Sequence, residues 1–414
     1  MSQHLFLWVL IFLLLNSASS GQEKVIYSLE ESIQLALNNN PQIKIAEKEI
    51  DSAKGKRLQA FSFDQPELTF SWEGIPSDKS FSQANTRSIS IDQNVEFPAK
   101  LFLKRDVATK ELDISYEKLN RVKVLVSAGV KKAYYHVNLE RQLVETLEFT
   151  LDLLKQFQEA TLVKYQSGQL PYFEVIRTKV EIAKTQNEIF ETQQELGSAK
   201  NDFNLILGRR GSEEFELEDE LRFTPYSKNK EETLNEHVNR NRTLKIAQLS
   251  REKENKNRKL AHLTFVPDLN LSGGYLSESG AKFIPSFEVG LSLPLWWWNP
   301  RGQIQEGQAN FRMAQIKEQT ALRVVQSQIE KAYQLVKTSE KQVLLFEKTL
   351  LTEVDEELKA GINSYQYNQI DALGLLDIYR TNKTTQIEYS KTLFNYLSAL
   401  ADLEVAGEEK EREE

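Results

Sequence analysis

Few side chains in this sequence are of types and spacings that could do chemistry, and the best placed are His136 and Glu140. Four residues apart on a helix, they share one face, which is the spacing of a metal-ligand pair. The chain has four histidines, two methionines and no cysteine, whereas borderline and soft metals prefer imidazole or thiolate ligands. The composition therefore favours an ordinary surface pair, and we expect neither a metal site nor a cofactor.

Catalytic motifs are missing from the sequence. It contains no nucleophile elbow, no glycine-rich phosphate loop and no HExxH pair. The net charge is −8, whereas nucleic-acid binding calls for a basic surface. We therefore predict a protein that is not an enzyme and that has no nucleic-acid partner.

Residues 1–20 have the pattern of a secretory signal peptide. They contain no Lys, Arg, Asp or Glu, residues 5–15 are all apolar, and small residues precede Gly21. This apolar run is too short to span a bilayer, and no later stretch approaches ~18 consecutive apolar residues. We expect export, cleavage after Ser20 and no transmembrane helix.

Four segments carry apolar residues every seven positions, which predicts long helices that pack side by side and supercoil. The rows are Leu112, Leu119, Val126, Ala133, Leu147 and Leu154, with a break at Glu140; Val175, Ile182, Ile189, Leu196 and Phe203; Leu322, Ile329, Val336, Val343 and Leu350; and a weaker row of Leu375, Asn382, Tyr389, Tyr396 and Leu403. The first and third helices should each be ~80–100 Å long at ~1.5 Å per residue. A second row on the second helix (Phe173, Ile176, Val180 and Ala183) indicates neighbours on two sides.

Four shorter segments alternate apolar and polar residues, at residues 67–73, 88–97, 268–275 and 286–295. This period fits transmembrane β-strands with lipid on one side and water on the other, although a soluble two-faced sheet would show it too. The signal peptide and aromatic residues at the strand ends favour a membrane. Four strands cannot close a barrel, which needs about eight, and open edges are not tolerated in lipid. The chain must therefore oligomerise if the strands lie in a membrane.

The second half of the sequence repeats the first. Residues 44–46 and 66–68 correspond to residues 245–247 and 267–269, and residues 165–170 correspond to residues 365–370. Pro98 and Arg105 match Pro294 and Arg301, at the smaller offset of 196. Capping boxes are predicted at Ser28 with Glu31 and at Thr233 with Glu236. Gly168 and Asn368 should end matching helices in the left-handed conformation.

This duplication divides the chain into a signal peptide (1–20), a first repeat (21–208), a connecting segment (209–230), a second repeat (231–407) and an acidic tail (408–414). Each repeat should contain two helices, two strands and a long helical hairpin. The predicted fold class is an α+β membrane protein. A long coiled-coil α-helical barrel would continue into a transmembrane β-barrel that trimerisation completes.

Several motifs in this duplicated frame resemble those of TolC-family outer-membrane efflux proteins, over roughly residues 25–407. They are the opening segment 28–41, both tip motifs, and Leu375-Leu376-Asp377 with Arg380 after it. Residues 95–100 and 293–302 are similar to the branch that serves cobalt–zinc–cadmium-type pumps, which suggests heavy-metal resistance. Asn368 in place of Gly, the missing lipidation Cys and the acidic tail are departures.

The resemblance implies a homotrimer whose protomers each give four strands to a 12-stranded barrel in the cell outer membrane. The long helices would form a periplasmic tunnel that docks on a periplasmic adaptor and an inner-membrane pump of the RND type. The implied function is an exit duct of a tripartite efflux or secretion system. The alternative is a periplasmic coiled-coil scaffold or adaptor without a membrane barrel.

Three groups of site residues are predicted, and the first of them comes from the resemblance. Asp377, and with it Asp371, would form a carboxylate ring at the pore constriction, although acids also suit an ordinary helix N-terminus. The residues of the two tips connect helices, and adaptor docking is assigned to them as an added role: Tyr165, Gly168, Gln169, Leu170, Tyr365, Asn368, Gln369 and Ile370. A membrane-interface belt, preferred to a carbohydrate platform, is assigned to Trp72, Trp296, Trp297 and Trp298.

Overall fold

The computed structural model describes residues 25–408, apart from residues 76, 78, 79, 82 and 83, so the predicted signal peptide lies outside the described part. The first half of the chain begins with a short strand and then forms two helices, a hairpin of strands and two long helices. In order these are β1 (Val25–Tyr27), α1 (Leu29–Asn39), α2 (Pro41–Gln59), β2 (Glu67–Glu73), β3 (Thr86–Val95), α3 (Pro98–Gln166) and α4 (Tyr172–Ile206).

The second half repeats this order of elements. It contains β4 (Phe215–Leu217), α5 (Lys230–Arg240), α6 (Arg242–His262), a 3₁₀ turn (Leu263–Phe265), β5 (Asp268–Glu278), β6 (Ile284–Ser292), α7 (Trp298–Leu345), a π turn (Phe346–Leu350), α8 (Leu351–Gln366) and α9 (Ala372–Glu404). The first helical hairpin is α3 with α4, and the second is the arm from α7 to α8 with α9.

The two long arms have the same length. Helix α3 has 69 residues, and residues 298–366 are helical throughout, interrupted only by the π turn. At ~1.5 Å per residue each arm is ~100 Å long. The seven-residue rows lie in the seams between helices, where Val126, Leu154, Ile329 and Val336 are buried. The predicted long packed helices are therefore confirmed.

The seam of the second arm changes phase at the π turn. Val343 and Val354 are both buried but stand eleven residues apart, whereas Leu350, the next member of the predicted row, is only half-buried. A π turn takes an extra residue into the helix and so rotates the turns after it about the helix axis. In α3 no such turn occurs, and its row stays in step through Leu147 and Leu154.

The four alternating segments form one antiparallel sheet in the order β2-β3-β5-β6. Its register places Leu68 opposite Ile91, Phe70 opposite Ile89, and Leu269 opposite Leu291. Side chains with the same direction therefore form an apolar face and a polar face, as the period of two predicted. The apolar face is uncovered in the single chain, with Phe287 75% exposed. Strands β2 and β6 are the edges, and each pairs on one side only.

A small second sheet ties the connecting segment to the beginning of the chain. Strand β4 pairs in parallel with β1, with Tyr27 opposite Leu217. Phe215 and Leu217 pack in a core with Tyr134 and Phe203, where the middle of α3 meets the last turn of α4. Residues 215–217 are too short for an alternating pattern, and the sequence predicted no strand there.

Two details of the repeat are wrong as predicted. The capping box of α5 is formed by Asn229 and Glu232, because Thr233 is fully buried and bonds to Tyr226. The long arms start 200 residues apart, at Pro98 and Trp298, so Pro294 precedes its helix and is not the counterpart of Pro98. The box at Ser28 and Glu31 is confirmed.

None of the described helices combines the length and the apolar character needed to cross a bilayer.

Candidate functional site

The tips of the two hairpins have the same backbone geometry. In the first, Gln169 N donates to Lys164 O at 2.9 Å and Gly168 has φ 76°. In the second, Gln369 N donates to Ser364 O at 2.8 Å and Asn368 has φ 57°. Each helix therefore ends in a Schellman turn with its left-handed residue where the sequence predicted it.

Packing makes the two tips different on their surfaces. Tyr365 is only 4% exposed, because it lies against Phe157 of the other hairpin with ring centroids 5.0 Å apart. Its counterpart Tyr165 is 39% exposed and contacts Tyr172. Ile370 packs on the same core as Tyr365. Tyr365 therefore offers almost no surface to a docking partner, and Ile370 has a structural reason to be apolar.

Lys164 joins the two tips, a role that the sequence analysis missed. Its Nζ donates to Tyr365 O at 2.7 Å and to Asn368 Oδ1 at 2.6 Å, and lies 4.0 Å from the centre of the Tyr365 ring. Burial lowers the pKa of the Lys164 ammonium. Asn368 thus does what a glycine cannot, because its side chain accepts a hydrogen bond while its backbone is left-handed.

The two candidate pore carboxylates lie on the first turns of α9 in different settings. Asp371 is the N-cap, and its Oδ1 accepts from Gly374 N at 2.8 Å. Asp377 is exposed and adds to the negative charge around Arg380. Asp371 therefore caps the helix, whereas the carboxylate of Asp377 is free to face water.

Two ion pairs connect α4 to α9 just behind the tips. Arg380 contacts Glu181 at 2.9 and 2.6 Å, and Lys383 contacts Glu188 at 2.8 Å. The hydrogen bonds from Arg380 hold the pKa of the Glu181 carboxyl below its usual range, although burial opposes this. No spacing rule links residues about 200 positions apart, so the sequence could not identify these partners.

The strands contribute only carboxylates and neutral groups to the polar face of the four-stranded sheet, and one of these carboxylates, Asp268, is paired with Lys100 of α3. The strand register places six acids on it and no lysine or arginine: Glu67, Glu73, Asp92, Asp268, Glu278 and Glu288. A cavity of about 480 Å³ on this face is lined by Asp92, Glu288 and amide side chains. This surface attracts cations and repels anions.

The tryptophans lie at opposite ends of the sheet. Trp72 pairs with Arg87 at the end nearest the β2–β3 loop and contacts Phe81. Trp296, Trp297 and Trp298 follow β6 at the helical end and contact one another. From Leu269 to Ser277, strand β5 advances by eight residues, which corresponds to a length of ~27 Å at ~3.4 Å per residue. That is close to the ~25 Å apolar band of outer-membrane barrels.

An ion pair between Lys100 and Asp268 fixes the sheet to the helices, and Lys100 belongs to the segment 95–100. Lys100 Nζ donates to both oxygens of Asp268, at 2.8 and 2.9 Å, and to Val266 O. Phe97 N also donates to Asp268 Oδ1, at 2.8 Å. The start of α3 is therefore held on the start of β5.

His136 and Glu140 contact each other at 3.5 Å, and the hydrogen bond to Glu140 raises the pKa of the His136 imidazole. Phe394 lies beside the ring, with centroids 5.7 Å apart. Among the described residues no group of three His, Asp or Glu side chains could hold a metal ion.

Comparison with known proteins finds a family match for part of the chain and similar folds for nearly all of it. Residues 32–209 match the family described as outer membrane efflux protein. Three solved structures have similar folds over the described chain. The outer membrane protein VceC from Vibrio cholerae is 18% identical, with a TM-score of 0.76 over 91% of this chain and 94% of that one.

Two further solved structures have similar folds. The outer membrane channel CmeC of Campylobacter jejuni is 13% identical, with a TM-score of 0.77 over 93% of this chain and 87% of its own. CusC, whose structures concern folding and transmembrane channel formation, is 18% identical, with a TM-score of 0.74 over 93% and 92%. No curated protein sequence matches the chain. The chain therefore has the fold of outer-membrane channels, and its residues 32–209 match the family described as outer membrane efflux protein.

Proposed function

We propose that this chain is one protomer of a homotrimeric exit duct in the cell outer membrane. The observation that carries the proposal is the open four-stranded sheet. Its apolar face is uncovered, its polar face is acidic, and its edge strands β2 and β6 each lack a partner on one side. Three such sheets joined edge to edge make a closed 12-stranded barrel, which satisfies every edge in lipid.

The helical part supports the same assembly. Helices α4 and α7 lie at opposite edges of the helical layer, since α4 packs mainly on α3 and α7 packs on α6 and α9. Both edges expose apolar rows: Phe173, Ile176 and Val180 on α4, and Ile316, Val324 and Leu335 on α7. Burying such rows against the next protomer would close the helices into a tunnel that continues the barrel.

The duct would pass cargo from an inner-membrane pump of the RND type through a periplasmic adaptor that docks at the tips. The pore constriction is proposed at Asp377, where threefold symmetry would bring three carboxylates together. Membership of the branch that serves cobalt–zinc–cadmium-type pumps rests on residues 95–100 and 293–302. Lys100 and Phe97 in the first segment hold the junction between helix and sheet.

Cysteine crosslinking across the edges tests the assembly, because the chain has no cysteine of its own. Strands β2 and β6 of one protomer are three strand spacings apart, ~14 Å, and a disulfide spans at most ~7 Å between Cα atoms. A bond between cysteines at these strands must therefore join two chains. We would combine Ser71→Cys with Ser286→Cys, Glu288→Cys or Gly290→Cys, since one of these registers should pair.

Oxidation in detergent should give a covalent trimer for at least one pair and none for the single-cysteine controls. A monodisperse monomer without detergent in light scattering, with no crosslinked trimer, would overturn the duct and favour the scaffold.

A further inference from the structure

A cavity of about 490 Å³ lies where α3, α6 and α7 come together, away from the tips and the sheet. One face of α6 and one face of α7 form its walls, and Arg121 reaches it from α3. Nothing in the proposed transport function assigns a role to this cavity.

Arg121 is the unusual residue in its wall. The side chain is only 9% exposed, and no described residue accepts a hydrogen bond from its Nε. A guanidinium has five N–H donors, and leaving buried donors unpaired costs stability. The nearby carboxylate of Glu408 accepts from Arg242 N, Thr243 N and Thr243 Oγ1, and no hydrogen bond joins it to Arg121 in the described structure.

Glu408 itself is part of the fold and not of a solvated acidic tail. It is 4% exposed and its oxygens cap the first turn of α6. Burial raises the pKa of its carboxyl group, and the charge of Arg121 only opposes this. The influence of Arg121 on Glu408 is therefore electrostatic, without a hydrogen bond between them.

The remaining wall combines positive charge with an apolar surface. Lys317 is exposed and makes no ion pair within the described chain, and Lys253 is paired with Glu111 at 2.9 Å. Glu254 is the one carboxylate among the lining side chains, and it accepts from Asn257 Nδ2 at 3.1 Å. Because Lys253 is already paired, Arg121 and Lys317 are the lining cations without an ion pair in the described chain, and they lie beside the side chains of Ile246, Met313 and Ala314.

We propose that this cavity binds a small amphiphilic anion. A carboxylate or phosphate head pairs with Arg121 and Lys317, and an apolar tail lies against Ile246 and Met313. The positive charges of Arg121 and Lys317 select an anion, and the apolar wall selects one with a hydrocarbon part over an inorganic ion. A soluble carboxylate and a membrane phospholipid share this chemistry.

Calorimetry on the assembled full-length protein in nonionic detergent tests the site, with hexanoate and hexyl phosphate as probes and hexylammonium as the cation control. The six-carbon tails are short enough to stay largely out of micelles. Hexanoate should bind once per chain, and Arg121→Gln should weaken it roughly tenfold, because a hydrogen bond to a charged group is lost. Lys331→Gln, on the same helix as Lys317 but away from the cavity, should change nothing.

Two variants at exposed lining residues of the cavity keep the test decisive if the Arg121→Gln protein does not assemble. Lys317→Gln should weaken both anions, and Met313→Asp should weaken hexanoate by removing apolar contact and adding a like charge. Equal binding of hexylammonium, or unchanged binding in the variants, would overturn the proposal. Phospholipid retained by the wild type in native mass spectra and lost from Lys317→Gln would identify a lipid; hexanoate binding without retained lipid would identify a soluble carboxylate.

Discussion

The Arg380 guanidinium and the Glu181 carboxylate form a two-point ion pair between the two helical hairpins. Nε lies 2.9 Å from Oε1 and Nη2 lies 2.6 Å from Oε2, and the Glu181 side chain is 9% exposed. A planar guanidinium that meets a carboxylate at two points fixes orientation as well as distance. The hairpins are therefore connected by charge just behind the tips, where Lys164 also joins them.

Glu181→Gln should loosen this connection without changing the size of the side chain. The amide keeps one acceptor but loses the charge, and because Arg380 is partly exposed the cost should be only about 1–2 kcal/mol. Amide exchange in residues 178–184 and 378–384 should then be roughly tenfold faster. Glu191→Gln, an exposed acid on the same helix, is the control. Equal exchange in both variants would show that the pair contributes nothing.

The same pair predicts a response to acid. Because Arg380 lowers the pKa of Glu181 in the folded protein, the pair stabilises at every pH above the ordinary carboxyl value of ~4.5. This stabilisation is lost only as the pH falls through the lowered folded value. The difference in exchange between wild type and Glu181→Gln should be constant from pH 7 to 5 and shrink in stronger acid. A difference that disappears already near pH 6 would contradict the assignment.

The order of the elements could be predicted because its signals are local. A seven-residue row such as Ile329, Val336 and Val343 can be recognised within a single helix, and the alternation in β5 can be recognised within a single strand. The failures needed distant information. Asn229 and Thr233 both begin a capping box by spacing, and only the burial of Thr233 beside Tyr226 decides between them.

The candidate site was predictable to the same extent. The left-handed turn residues Gly168 and Asn368 follow from backbone chemistry and were found. The difference between Tyr165 and Tyr365 depends on Phe157, which belongs to the other hairpin. Lys164 and Glu181 were missed for the same reason, because their partners are about 200 residues away.

The junction between sheet and helices gives a stability prediction. Asp268→Asn keeps an acceptor for Phe97 N but leaves the buried Lys100 ammonium without its anion. We expect a loss of about 2–3 kcal/mol and a lower unfolding temperature by circular dichroism in detergent. Glu96→Gln, whose partner Lys104 is more exposed, should cost less than ~1 kcal/mol. Equal unfolding temperatures for Asp268→Asn and Glu96→Gln would show that the pair of Lys100 with Asp268 has no special role in stability.

Asp377→Asn should reduce cation preference and cation block in planar-bilayer recordings. Three like charges in a narrow neck dominate the local potential, whereas scattered wall charges are screened within ~8–10 Å. Asp371→Asn is the matched variant, because Asn also caps helices and the α9 N-terminus should persist. A smaller effect of Asp371→Asn would fit its engagement with Gly374 N. Unchanged selectivity in Asp377→Asn would place this residue outside the constriction.

Adaptor docking at the tips gives the most specific prediction, and the structure narrows the residues that can carry it. Both turns keep a glutamine and then an apolar residue after the left-handed position. Tyr365 is buried, and the half-buried Ile370 packs against the core that contains Tyr365 and Phe157. Gln169 and Gln369 are exposed and Leu170 is half-buried. Together with the exposed Tyr165, Gly168 and Asn368, these residues are the part of the tips that a partner can reach.

Gln169→Ala with Leu170→Asp should therefore abolish adaptor crosslinking and pump-dependent export, while the trimer still assembles. Six tips in a trimer multiply a weak contact by avidity, so a change repeated in every protomer has a steep effect. Ile370→Asp should instead destabilise the core around Phe157 and Tyr365, and this should be visible as faster amide exchange in α8 and α9. Lys359→Ala, exposed two turns up the arm, should leave both export and exchange unchanged. If the double variant crosslinks and exports like the wild type, the shared tip sequence serves only to form the Schellman turns.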